Sequence, residues 1–268
     1  MTKTAPADED GPSYLVAAAD RALHLLSLVG DNPGLGLSEL GRLSGNSKAR
    51  TFRLLQTLEA AGFVRQRLPE TDYWLGPAAL RLSLQAAAQL DIVRLAQPVL
   101  DAIGPHCDET VQLRVRQGLE SLCIAKWETG RIVRYHAEVG RRSPLHAGAS
   151  KLLLAHAPPA VQQAVLKGPL ERFTETTPTD AASLVTLLER LRQEDHCISR
   201  GEVAPEAFSV GVTVRDATGQ VVAALLIAAP LVRVPPEREA SLLALAREGA
   251  AQLSQALGHV GAPPLAKE

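Results

Sequence analysis

The sequence has 268 residues, of which 46% are apolar and 21% charged, and its formal net charge is −1. This length suits one large domain or two ordinary ones, and no apolar run reaches the roughly 18 residues that a membrane-spanning helix requires. The polar, acidic start of the chain lacks the apolar centre of a secretory signal, so we expect a cytoplasmic protein with a disordered tail at residues 1–13. The three cysteines are odd in number and widely spaced, which disfavours a disulfide framework or a zinc site, and no cofactor is expected.

Three helices are predicted at the start of the chain. Apolar residues follow a helical spacing from Tyr14 to Val29 and give way to a breaker at 31–34. A short helix follows, with Ser38 as its N-cap and Leu40 and Leu43 facing inward. The third helix, 47–60, has an inner face at i, i+3, i+4 and i+7, formed by Thr51, Leu54, Leu55 and Leu58.

A β-hairpin is predicted next, with strands at 63–67 and 73–75 around a turn at 69–72. Three helices followed by a hairpin is the order of a winged helix-turn-helix, whose recognition helix enters the major groove of DNA. Between Arg42 and Arg67, six basic residues and one acidic residue give a local charge of +5. Such a cluster is typical of a phosphate-binding surface, although a basic stretch can also be an ordinary solvated face.

The rest of the chain reads as an α+β domain reached through a linker helix. We predict a winged-helix domain at 14–76, an Ala- and Leu-rich linker helix at 77–91, an effector-binding domain at 92–260 and a tail at 261–268. Within the effector-binding domain, alternating residues at 110–116 predict an edge or half-buried strand. The other predicted elements are helices at 92–106, 151–156, 159–166, 180–194 and 236–257, and strands at 119–127, 132–139, 209–214 and 221–228.

Three segments resemble the IclR family of bacterial transcription regulators. They are SKARTFRLLQTLEAAGFV at 47–64, VGRRSPLHAGASKLLLA at 139–155 and TVRDATGQVVAALLIAAP at 213–230. The similarity runs in the family's order from about Tyr14 to Leu257. It implies a winged helix, a linker helix and a GAF-like effector domain with an antiparallel sheet. It also implies a homodimer or homotetramer that represses or activates operons of small-molecule metabolism.

The outer face of the third helix and the hairpin carry the expected DNA contacts. Lys48 and Arg50 suit guanine edges, and Phe52 suits a thymine methyl group or the sugar backbone. Arg65 and Arg67 would reach phosphates or a narrow minor groove. The full set of predicted DNA-binding residues is Ser47, Lys48, Arg50, Phe52, Arg53, Arg65 and Arg67.

The resemblance implies that an effector lies against the second domain's sheet, with backbone amides at 145–150 offered to its acid group. The implied effector-binding residues are His146, Ala147, Gly148, Ala149, Ser199, Glu202, Ser209, Leu226 and Ala228. A frequent cysteine of the family falls on Ser209, and two common serines fall on Leu226 and Ala228. We therefore expect an organic acid with apolar or aromatic character. Whether His146 contacts the ligand or only supports its loop stays open, as does the role of Arg200.

Two rival functions are weighed against a regulator. An enzyme is disfavoured because the sequence has no GxSxG, SxxK, HExxH, GxGxxG or P-loop motif. A ligand-sensing interaction protein without specific DNA binding is the second rival. Salt-sensitive binding to a specific DNA site would exclude it.

Overall fold

The computed structural model describes residues 16–89 and 91–260, so the predicted tails at 1–13 and 261–268 and the end of the linker helix at Leu90 lie outside the described residues. The described residues divide into two compact units, 16–89 and 91–260. The described helices are α1 Ala17–Asp31, α2 Leu37–Leu43, α3 Lys48–Ala60, α4 Pro77–Gln89, α5 Ile92–Cys107, α6 Lys151–Ala155, α7 Pro159–Lys167, α8 Ala181–Glu194 and α9 Pro236–Ala256. The described strands are β1 Leu35–Gly36, β2 Val64–Arg67, β3 Asp72–Leu75, β4 Thr110–Gln117, β5 Glu120–Trp127, β6 Arg142–Pro144, β7 His196–Arg200, β8 Ala207–Arg215 and β9 Val221–Pro230.

The N-terminal unit packs α1, α2 and α3 against a three-stranded antiparallel sheet of order β1-β3-β2. The Ser47 hydroxyl caps α3 by accepting from the backbone N–H of Arg50 at 3.4 Å. Gly62 follows the C-terminus of α3 with φ of +75°, a conformation that glycine adopts without strain. The core that joins these elements consists of Leu25, Val29, Leu40, Leu55, Leu58, Val64 and Tyr73. The predicted order of three helices and a hairpin is confirmed.

Two details of α2 differ from the sequence prediction. The N-cap is Gly36 rather than Ser38, because Leu35 and Gly36 first pair with β3 and the helix begins directly afterwards. The Glu39 carboxylate then accepts from the backbone N–H of Gly36 at 3.3 Å. Leu43 is exposed rather than inward, because it stands in the last turn beside the tight turn at Gly45.

The C-terminal unit is built on a six-stranded antiparallel sheet of order β6-β5-β4-β9-β8-β7. One face packs on α5 and α9 and forms the larger apolar core. The opposite face packs on α6 and α8, with a second core around Leu152, Leu154 and Leu226. None of the helices in the described part of the chain is long and apolar enough to cross a membrane.

The strand at 110–117 corrects one prediction. It lies between β5 and β9 in the interior of the sheet, not at an edge, and its first five residues are all buried. Its polar residues, among them Gln112 and Arg114, face the interior of the unit rather than solvent. The alternation of polar and apolar residues identified the strand correctly, but the polar side chains do not face solvent.

The predicted strand at 132–139 is absent from the described structure. The edge of β5 is instead occupied by Arg142–Pro144, with Glu120 opposite Pro144 and Leu122 opposite Arg142. The segment before it therefore has no strand partner, although its alternating apolar residues resemble a strand. Ile132 and Val133 are exposed, and the segment is held by side chains rather than by a ladder.

Candidate functional site

A cavity lies in the C-terminal unit, against the face of the sheet opposite α5 and α9. Its walls come from β4, β7, β8 and β9, from the segments at 135–143 and 147–150, and from the connection between β7 and β8. The lining residues are Gln112, Arg114, Tyr135, His136, Ala137, Glu138, Arg141, Ser143, Ala147, Gly148, Ala149, Ser150, Ser199, Val203, Ala207, Phe208, Ser209, Leu226 and Ala228. The empty space between these walls, including the open mouth, is about 630 Å³. Only about 60 Å³ of it can hold the centre of a water molecule, so the cavity is narrow.

Strand register explains how distant residues meet in this cavity. Ser199 pairs with Ser209, Ser209 with Ala228, and Ala228 with Thr110, which places one row of side chains across four strands. Gln112 pairs with Leu226 in the next row on the same face. Polar side chains from β4, β7 and β8 and apolar side chains from β9 therefore lie side by side in the cavity floor.

Arg114 is the central charged group of the cavity. Its side chain is buried, with 6% of the residue exposed. Its guanidinium donates to the Ser121 hydroxyl at 3.2 Å, to Gln112 Oε1 at 3.1 Å and to the Ser143 hydroxyl at 3.1 Å. It also donates to two backbone carbonyls, those of Ser121 and Arg141. Every acceptor is neutral, and within the described residues no carboxylate forms an ion pair with this cation.

The electrostatics of Arg114 favour an anion in the cavity. Burial lowers the pKa of the guanidinium, and the positive charge of Arg141 acts in the same direction. An arginine nevertheless stays protonated in proteins, so the site retains a cation that is poorly solvated. Within the described residues Nη1 donates only to Gln112, so one of its N–H groups is left for a ligand in the cavity that Arg114 lines.

The loop at 147–150 approaches the sheet closely. A Cβ on Gly211 would lie 3.1 Å from Ala149 Cβ, so a side chain there would press against the loop. The loop's amides are already engaged, since Gly148 N–H donates to Glu202 Oε2 at 3.0 Å and Ala149 N–H to the Ser209 hydroxyl at 3.3 Å. The other oxygen of Glu202 forms an ion pair with the buried Lys151 ammonium. An external acid group would have to displace these side chains before it could bind the two amides.

Seven of the nine residues predicted to bind the effector line the cavity, namely Ala147, Gly148, Ala149, Ser199, Ser209, Leu226 and Ala228. Glu202 lies behind the loop in the ion pair described above. His146 is also outside the wall: its Nε2 lies 2.9 Å from the Glu171 carbonyl oxygen and its ring stacks on Phe173 at 5.9 Å. Arg200 forms an ion pair with Glu239 and does not line the cavity.

Sequence reasoning missed the polar wall formed by Gln112, Arg114 and Ser143, and the cavity-lining residues between 136 and 141. The sequence does contain a signal for the polar wall, because polar residues alternate with apolar ones along 110–116. It becomes recognisable as a cavity wall only when that strand is known to be central.

Glu128 and Lys126 hold the segment 134–137, part of which lines the cavity. Its carboxylate accepts from Lys126 Nζ at 3.1 Å, lies 2.7 Å from His136 Nδ1 and forms an ion pair with Arg134 at 3.3 Å. Lys126 also donates to the Ala137 carbonyl at 2.7 Å. Partial burial raises the pKa of Glu128, but hydrogen bonds from Lys126, His136 and Arg134 outweigh this effect and bring it to about 2.

Glu128→Gln is expected to remove a stabilising contribution that depends on pH. Because the folded pKa of about 2 lies below the ordinary glutamate value of 4.5, the contribution is complete above about pH 4.5 and is lost as the pH falls toward 2. The difference in free energy of unfolding between the wild type and this variant should therefore shrink from about pH 5 to about pH 3, measured by urea titration. Glu120→Gln, at the exposed Arg142 pair, is the control. A difference that stays constant over this range would contradict the assignment.

The predicted DNA-binding residues divide into free and engaged groups. Lys48, Arg50 and Arg53 are exposed on α3 and form no ion pair within the described residues, as is also true of Arg65 on β2. Arg67 is engaged on the hairpin, since it pairs with Glu70 at 3.6 Å and Asp72 at 2.8 Å and stacks over Trp74 at 5.0 Å. Phe52 is 47% exposed on the same helix as Lys48, Arg50 and Arg53.

Glu59 fixes the hairpin relative to α3. Its carboxylate accepts from the backbone N–H of Gln66 at 3.1 Å. The acidic residue inside the basic cluster is therefore a structural tie between helix and wing.

Comparison with known proteins relates both units to one kind of protein. Residues 18–68 match the model for the IclR helix-turn-helix domain, and residues 84–255 match that for the bacterial transcriptional regulator IclR C-terminal domain. The chain is 31% identical to the HTH-type transcriptional regulator BhcR of Paracoccus denitrificans, over 89% of this chain and 86% of that protein. It is 35% identical to the HTH-type transcriptional repressor AllR of Klebsiella pneumoniae, over 78% and 77%. A crystal structure of an IclR-type regulator from Silicibacter sp. TM1040 superposes with a TM-score of 0.82 at 30% identity, covering 93% of this chain and 98% of that chain.

Proposed function

We propose that this chain, which belongs to the IclR family of bacterial transcriptional regulators, responds to a small organic anion with an apolar body that binds in the cavity of its C-terminal unit. Family membership makes the chain a ligand-responsive, DNA-binding transcription regulator and not an enzyme, as the sequence predicts. The proposal includes the ends of the winged-helix domain at 76, of the linker helix at 91 and of the effector-binding domain at 260. It also includes the individual site residues.

The observation that carries the proposal is the cation of Arg114, buried among neutral acceptors. A buried charge is costly unless it is paired. A ligand carboxylate would supply the missing charge, and guanidinium–carboxylate hydrogen bonds are among the stronger ones in proteins. Gln112 and Ser143 lie next to the guanidinium and can orient the same carboxylate.

The other cavity walls favour an apolar body on that anion. Leu226 and Ala228 form the floor on β9, and Val203 lies on a neighbouring wall. The narrow free volume favours a compact ligand such as a single ring or a short chain. Because Glu202 and Ser209 occupy the loop amides, we place the carboxylate at Arg114 and the apolar body toward Leu226.

The test compares carboxylates with neutral amides of the same shape. Acetate, hexanoate, benzoate and phenylacetate are added to the full-length protein, each beside its amide, and binding is followed by thermal shift and calorimetry. We expect the carboxylates with apolar bodies to bind and the amides not to bind. Arg114→Lys, which keeps the charge but loses the planar fork, should bind about 10- to 100-fold more weakly.

Arg116→Lys is the matched control, since it lies two residues along β4, donates to the Gly118 carbonyl and does not line the cavity. Equal binding of acids and amides, an Arg114→Lys variant that binds as the wild type does, or no response to any of the four acids would each contradict the proposed effector class.

On the DNA side, the proposal assigns operator binding to the exposed face of α3 and to Arg65 on the wing. The protein is proposed to act in the cytoplasm as a homodimer or homotetramer. Nearly fully exposed apolar residues, Ile132 at 95% and Val232 at 91%, support an interface between copies of the C-terminal unit. Sedimentation of the full chain tests this, and a monomer at micromolar concentration would refute it.

A further inference from the structure

A groove between α1 and α3 carries three arginines. Its walls comprise Ala17, Ala18, Arg21, Arg50, Arg53 and Leu54, around a volume of about 310 Å³. We propose that this groove is a clamp for one backbone phosphate of DNA, that Arg21 is a DNA-binding residue, and that Arg50 contacts the phosphate rather than a base. The inference rests on the proposed DNA interface of α3.

The charge of the groove supports an anionic occupant. No acidic residue lines it, and within residues 16–89 none of its three guanidinium groups forms an ion pair. Other arginines of the chain are compensated, such as Arg215 by Asp195 and Arg238 by Glu109. Three like charges in one groove repel one another, and an anion between them would relieve the repulsion.

The geometry of α3 separates Arg50 from the base-reading face. The buried face is centred on Thr51, Leu55 and Leu58. Arg50 and Leu54 stand one turn apart on the flank that faces α1. Glu59 stands on the other flank, where it binds the wing.

The centre of the exposed face is therefore formed by Ala49, Arg53 and Gln56, which are all exposed, and Arg53 also borders the groove. When a recognition helix lies in the major groove, its central exposed face meets the bases and its flanks meet the sugar–phosphate backbone. Arg50 on a flank is consequently placed for a phosphate, and Arg21 on α1 reaches the same place from outside the recognition helix. The small side chains of Ala17 and Ala18 leave room for the phosphate oxygens.

The experiment measures the affinity of the full-length protein for two duplexes by fluorescence anisotropy over a range of salt concentrations. One duplex is the DNA upstream of the protein's own gene, and the other is a shuffled sequence of the same length. Arg21→Ala and Arg50→Ala should weaken binding to both duplexes by the same factor, about 3- to 10-fold. Each should also reduce the slope of log K against log salt by about one per bound protomer. Arg94→Ala, an exposed arginine on α5 outside the groove, should change neither.

The results separate the clamp from the interface on which it rests. If Gln56→Ala weakens binding to the upstream duplex alone while Arg21→Ala leaves affinity and slope unchanged, the clamp is wrong and the α3 interface stands. If Arg50→Ala weakens only the upstream duplex, Arg50 reads a base and the phosphate assignment is wrong. If none of the three variants changes binding to either duplex, the α3 interface itself is wrong. Because the clamp is independent of sequence, the shuffled duplex tests it even without an operator in the chosen region.

Discussion

Lys151→Met is expected to lower the free energy of unfolding by about 3 to 5 kcal/mol, because it leaves a largely buried carboxylate without its cation. Lys151 is 1% exposed, and its ammonium forms an ion pair with Glu202. The second oxygen of that carboxylate accepts from Gly148 N–H at 3.0 Å. The pair therefore holds the loop of the cavity wall to the segment between β7 and β8, and its loss should also loosen the cavity.

The matched variant is Lys151→Met combined with Glu202→Gln. The glutamine keeps an oxygen for Gly148 N–H and removes the unpaired charge, so the double variant should recover most of the lost stability. Urea unfolding of the full chain measures both. Two results would contradict this prediction: a single variant as stable as the wild type, or a double variant no more stable than the single one. Either result would show that Lys151 does not stabilise the protein by neutralising the largely buried Glu202 carboxylate.

The three helices and the hairpin of the winged helix could be predicted because their signals are local. The spacing of Thr51, Leu55 and Leu58 defines the buried face of α3 within three turns. Gly45 and Gly62 mark its two flanking turns, and both adopt positive φ. Each signal lies within a few residues of the structure that it specifies, so one sequence suffices to read it.

The cavity could be predicted only in part because its walls are assembled by long-range pairing. The acceptors around Arg114 include Ser143, which lies 29 residues away. The polar face of β4 has the pattern of a strand facing solvent, and only its place between β5 and β9 turns that face into a cavity wall. The resemblance supplied the loop at 147–150 and the floor at Leu226 and Ala228, but not the charged group beside them.

Long-range contacts also explain why the sequence did not show that the loop amides are already hydrogen-bonded. Glu202 was predicted to touch the ligand, yet its carboxylate reaches Gly148 N–H across 54 residues of sequence. A sequence shows that an acid and a loop are both present, but not that one already satisfies the other.

Gly76→Ala is expected to destabilise the N-terminal unit by about 1 to 3 kcal/mol or more, because a side chain there meets fixed backbone. A Cβ on Gly76 would lie 2.3 Å from the Gly62 carbonyl oxygen. That oxygen also accepts from Ala78 N–H at 3.0 Å, and Gly76 N–H donates to the Phe63 carbonyl at 2.8 Å. The start of α4 is thereby fixed to the turn that joins α3 to the wing.

A methyl group at Gly76 must push these backbones apart and so move the end of α3 and the wing together. We therefore expect weaker DNA binding by anisotropy beside a lower midpoint of urea unfolding, while carboxylate binding in the C-terminal unit is unchanged. Gly30→Ala is the control: it lies within α1, its Cβ would meet Leu75 at an ordinary 3.6 Å, and alanine favours the helix by roughly 0.5 to 1 kcal/mol. A Gly76→Ala variant that is as stable as Gly30→Ala and binds DNA as tightly would contradict this prediction. The close approach of Gly62 and Gly76 would then not fix the position of the start of α4.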